Sequence, residues 1–146
     1  MRAQRLAQLA LAVAAWAWVA AIVFVPGLVF PVGRFICHQR PERSFFFHGR
    51  QLAVCARCTG LYFGAAGVVP LAWLAAAQLQ SGRARWLLIL AALPTAVTWA
   101  IEFAGLAPVS NLVRCVAALP MGAAAAWLVF SVTAKPPASA LVSRVE

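Results

Sequence analysis

Two cysteines three residues apart, Cys55 and Cys58 in "CARC", and a Cys37–His38 pair seventeen residues upstream carry the most evident chemistry in this chain. A C-x-x-C pair lets two sulfurs meet one metal ion or one another. Here it falls where a helix is expected to begin, and both a helix N-terminus and the intervening Arg57 favour thiolate, the form that binds metal or attacks a disulfide. A loop of this length can fold back, so that Cys37, His38, Cys55 and Cys58 form a tetrahedral Cys3His set for which zinc is the default ion. Side chains of neighbouring residues diverge, which makes His48 an alternative fourth ligand and leaves one of Cys37 and His38 to orient the others. Two further readings stay open: a disulfide from Cys37 to Cys55 or Cys58, and a redox-active thiol pair. Cys115 reads as an ordinary buried thiol.

Charged groups add a second candidate layer. Glu102 is expected near the end of one apolar helix and Arg114 near the start of the next, so an antiparallel hairpin brings them together at the membrane face that carries the cysteines. Ionisable residues in apolar spans are expensive, which makes Glu102, Arg57 and Arg114 candidates for catalysis, with an ion pair that fixes the hairpin as the plain alternative. Arg40 and Arg43, with Asn111 as a hydrogen-bond partner, are candidates for holding an anion such as a lipid or polyprenyl phosphate, and "SFFF" (Ser44 to Phe47) can dip into the interface beside it.

The elements that must position these residues are apolar helices. The chain has 146 residues, 64% hydrophobic and 10% charged, against about 45–50% and about 25% in a soluble domain. This composition describes an integral membrane protein. Twelve Lys and Arg face three acids, but they are scattered between apolar segments rather than gathered on one face, which argues against nucleic-acid binding. No charge interrupts Leu6 to Val32. That run exceeds the roughly 7–15 apolar residues of a cleavable signal, so a retained helix is expected. Segments long enough to span, about 20 residues, lie at about 6–30, 60–79, 86–106 and 111–132, with Ser110 as N-cap of the last and Pro94 as a kink in the third. The expectation is an all-α four-helix membrane bundle, one domain over 1–133, with a Cys/His loop at 33–58 and a polar tail at 134–146. Gly60 and Gly64, with Gly67 a turn further, offer a face for close helix packing. Loop charges divide evenly between the two sides until the site arginines are set aside; the remainder favours a cytoplasmic N-terminus in the cell membrane.

"CHQRPERSFF", "CARCTGLYFG" and the later "SNLVR" followed by Gly122 resemble a family of small prokaryotic integral membrane proteins, the domain-of-unknown-function family numbered two thousand and eighty-five. The similarity runs from about Phe35 to Gly122. The resemblance implies that Cys37, His38, Gln39, Arg43, Ser44, Cys55, Arg57, Cys58, Thr59, Gly60, Tyr62 and Gly64, then Ser110, Asn111 and Arg114, belong to the family pattern. His48 matches no such position, which turns the fourth-ligand question toward His38. "WAIEFAG" departs from the Asp-Gly expected in the third helix. The resemblance implies a membrane location and no particular reaction.

Overall fold

The computed structural model describes residues 2–75 and 81–133. The expected tail, and the end of the expected 60–79 helix, lie outside the described residues. The chain runs α1 (Arg2–Phe24), α2 (Pro26–Gly33), a 3-10 turn (Pro41–Arg43), β1 (Ser44–Phe47), β2 (Arg50–Cys55), α3 (Ala56–Ala75), α4 (Ser81–Phe103) and α5 (Asn111–Thr133).

This corrects the expectation of an all-α four-helix bundle in two places. The single helix expected over 6–30 is two: Pro26 removes a backbone donor and pushes the residue before it out of the helical region, and Val25 sits at φ −128, ψ 51. Pro26 then occupies the first turn of α2, where a missing N–H costs nothing. The loop expected over 33–58 contains an antiparallel hairpin in which Ser44 pairs with Cys55, Phe46 with Gln51 and Phe47 with Arg50. His48 and Gly49 make its two-residue turn, both at positive φ (48 and 75), the geometry that matches strand twist in tight hairpins.

Helix limits also move for local reasons. α4 begins at Ser81 rather than near Trp86, so part of the link expected between the 60–79 and 86–106 segments is helical. It ends at Phe103 rather than near Leu106: Gly105 takes φ +66, its N–H bonds Glu102 O at 3.1 Å, and Leu106 N bonds Ile101 O at 3.1 Å. That pair of bonds closes the helix, with Gly105 two residues past its end in the left-handed region. α5 begins as expected, with Ser110 Oγ accepting from Val113 N at 3.3 Å.

Among the described residues three helices, Gln4–Phe24, Arg83–Phe103 and Asn111–Thr133, are long and apolar enough to cross a membrane, where four spans were expected. Large apolar side chains such as Leu90, Val97, Trp99 and Val116 are exposed, a surface that suits lipid rather than water. Among the described residues α3 and α5 form the most extensively packed helix pair. A Cβ at Gly60 would lie 2.0 Å from Cys115 O, at Gly64 2.1 Å from Leu119 O, and at Gly122 2.0 Å from Leu61 O, whereas Gly67 faces open space. The core nearest the cysteines gathers Ile22, Val29, Cys37, Leu52, Ala53 and Val54, so α1, α2 and the hairpin pack as one block.

Candidate metal centre

Cys55 is the last residue of β2 and immediately precedes α3, whose first turn carries Cys58. The hairpin folds back over α2 to bring Cys37 to them. Gly33 permits that approach, since a Cβ there would lie 2.6 Å from Ala53 O. Gln39, buried and at φ +49, clamps the fold: its Nε2 donates to Phe30 O at 2.9 Å and to Ala53 O at 2.7 Å, and its own carbonyl accepts from Gln51 Nε2 at 2.7 Å. Gln51 Nε2 also reaches Ser44 Oγ at 3.2 Å. These two glutamines order the loop. The composition of the loop did not point to them, although Gln39 belongs to the pattern of the resemblance; a buried amide between two backbone carbonyls leaves no periodic trace.

Three sulfurs meet as a result. The Sγ atoms of Cys37, Cys55 and Cys58 all lie within 4.8 Å of one another, and all four cysteines are free thiols. Tetrahedral zinc with bonds of about 2.3 Å needs sulfur separations of roughly 3.8 Å, so small side-chain adjustments suffice to hold an ion. Donors converge on the same sulfurs. Cys55 N donates to Cys37 Sγ at 3.2 Å, and the Cys58 thiol, then the amides of Cys58 and Arg57 and the Cys37 thiol, hold the Cys55 thiol well below its ordinary pKa despite burial.

The histidines stand apart from this set. His38 is exposed and lines the pocket beside Cys55, outside the group of three sulfurs. His48 lies in the hairpin turn, at the end of β1 remote from the Ser44–Cys55 pair, about 13 Å away at strand spacing.

The charged candidates do come together. Glu102 Oε2 accepts from Arg57, and Oε1 accepts from both Arg114 Nε, at 3.0 Å, and Arg114 Nη2. Their side chains are only 11–16% exposed. Arg57 therefore turns to Glu102, across from the sulfurs it separates in sequence, and three helices are tied by one carboxylate. Asn111 extends the network: its Oδ1 accepts from Arg114 Nη1, and its Nδ2 donates to Ser44 O at 3.1 Å and Glu42 O at 3.4 Å, joining α5 to the hairpin. Arg40 and Arg43 are exposed at the rim.

A family model, that of the predicted membrane proteins DUF2085, matches residues 37–128, the stretch that holds the sulfurs, the carboxylate and the glycine contacts. The chain belongs to this family. It is also similar to two uncharacterised archaeal proteins. One, from Methanothermobacter thermautotrophicus, is 36% identical over 61% of this chain and 79% of its own length. The other, from Methanocaldococcus jannaschii, is 36% identical over 62% of this chain and 59% of its own length, so this chain spans about three fifths of that relative. No solved structure matches.

Proposed function

We propose that this DUF2085 protein binds one zinc ion through Cys37, Cys55 and Cys58 at one end of its helices, with His38 as the further donor, and that the centre works on or holds an anionic group carried by a lipid. The cell membrane is its proposed site, with the N-terminus cytoplasmic and the cysteine end on the opposite face. The observation that carries the metal assignment is the mutual approach of three sulfurs in a loop otherwise held by a few amide bonds. Metal coordination contributes folding free energy directly and so orders such a loop. Zinc is preferred because a thiolate-rich, tetrahedral donor set suits it. Three sulfurs leave a fourth position. Filled by His38, the site is closed and structural; open, it suits metal-assisted hydrolysis or transfer. Arg57, Arg114 and Glu102 would then stand beside the reacting group, the arginines drawing off negative charge.

Metal analysis of the detergent-purified chain tests this. About one zinc per chain is expected, falling close to zero in Cys58→Ser, while His38→Ala weakens binding roughly 10–100-fold without abolishing it. The rival reading, a thiol–disulfide oxidoreductase using Cys55 and Cys58, is favoured by the close approach of these free thiols. A metal-free protein with a disulfide linking Cys55 to Cys58 or to Cys37 would replace the metal reading with it.

A further inference from the structure

A pocket of about 100 Å³ opens beside Cys55, lined by His38, Arg40, Arg43, Arg57 and Arg114. Four arginines line so small a space, their like charges repel, and no carboxylate is among its described lining residues. Glu102 lies under Arg57 and Arg114 and spends both oxygens on them. Glu42 reaches only Arg40, at 3.9 Å, with both side chains about 60% exposed, where solvent screens the pair. The arginines keep more donors than these acids consume, and Arg57 Nε is buried with no hydrogen-bond partner among the described residues. α3 and α5 both begin at this end, and neither has an acidic residue in its first turn, so two positive helix ends add to the field.

We infer that this pocket is a binding site for a phosphate-class oxyanion, the phosphate monoester end of a lipid or free phosphate, with Arg57 and Arg114 as its pre-oriented floor and Arg40 and Arg43 as its movable rim. Size favours a small group such as one tetrahedral oxyanion, the space being about 100 Å³. Charge favours a dianion, since Glu102 offsets only one of the arginines. Guanidinium forks match phosphate oxygens in pairs. Position favours delivery from the bilayer: the α5 span starts at Asn111, which puts the pocket at one end of the spans, and Phe46, Phe47, Phe35 and Ile36 expose apolar surface on the same loop region. The inference deepens the proposed function by naming the ligand class. It rests on that reading for the adjacent metal, but binding of the anion does not depend on it.

The test uses the full chain in detergent and in nanodiscs. Inorganic phosphate is titrated by calorimetry in zwitterionic detergent, and phosphatidic acid retention is counted in phosphatidylcholine nanodiscs with and without that lipid. Arg40→Ala/Arg43→Ala is expected to weaken binding about tenfold or more, with unchanged circular dichroism, because backbone atoms of Arg40 and Arg43 hold the 3-10 turn and the exposed Arg40–Glu42 pair adds little. Glu42→Gln serves as a second variant, expected to keep or tighten binding. Saturable binding of either phosphate source that the double variant weakens supports the inference, and the source that binds more tightly identifies the ligand. Absence of binding by both sources, or affinity unchanged in the double variant, overturns it. Zinc is measured on the same samples: phosphate binding that persists in Cys58→Ser, or in a wild type found without zinc, leaves the anion site standing while the metal reading is judged separately.

Discussion

The hairpin end and the α3–α5 seam hold together by opposite means. At the hairpin end, polar side chains do the joining: Gln39, Gln51 and Asn111 bond backbone carbonyls, Glu102 binds two arginines, and three sulfurs converge. Along the seam, Gly60, Gly64 and Gly122 bring backbone against backbone with no side-chain hydrogen bond at those positions. The environment explains the contrast. Within lipid, apolar burial gives no driving force between helices, so close van der Waals contact must supply it. At the bilayer surface, water competes for every polar group, and specific bonds or a metal are needed to fix one arrangement. Specificity lives in the hairpin and rigidity in the seam.

The sharpest way to break that contrast is Gly64→Leu. Its Cβ alone would overlap Leu119 O, and backbone cannot yield as a side-chain tip would. Loss of monodisperse folded protein in size-exclusion chromatography is expected, whereas Gly67→Ala, facing open space, should stay within about 1 kcal/mol of the parent. Equal tolerance of both would dissolve the seam as a distinct region.

Glu102→Ala comes next. It strands two nearly buried guanidinium groups, and removing one partner of such a network costs about 3–5 kcal/mol. A steric trapping or denaturant series in detergent measures it, and a cost below about 1 kcal/mol would mean that solvent already screens the arginines.

Asn111→Ala has the smallest effect and the most local one. It removes the bonds from α5 to Ser44 and Glu42 and the one Asn111 Oδ1 accepts from Arg114, worth about 2–3 kcal/mol together. Amide exchange is expected to quicken in the hairpin, residues 44–55, while the glycine seam keeps its protection. Uniform quickening would show that the two regions open as one.

Much of this was legible beforehand for physical reasons that can be named. Long apolar runs and the glycine spacing announce the helices and their contact face, because in lipid those features are obligatory. The C-x-x-C at a helix start marks two of the three converging sulfurs by itself. The split at Pro26 was available from the proline rule and was hidden by the uninterrupted hydrophobicity around it. The hairpin was hidden too: "SFFF" and "RQLAVC" flank a His-Gly turn rather than the Asn-Gly or Asp-Gly that usually announces one.

By itself the sequence determined what is periodic or local: a membrane protein with apolar helices, a Ser110 cap, glycines aligned for contact, and sulfurs poised near a helix start. Tertiary structure decided what is convergent. Cys37 reaches Cys55 only because Gly33 and Gln39 let α2 and β2 touch. Arg57 meets Glu102, 45 residues away, only because α3 and α5 start at the end where α4 stops. Spacing along a chain encodes neighbours within one element, whereas contacts between elements depend on where every intervening segment turns.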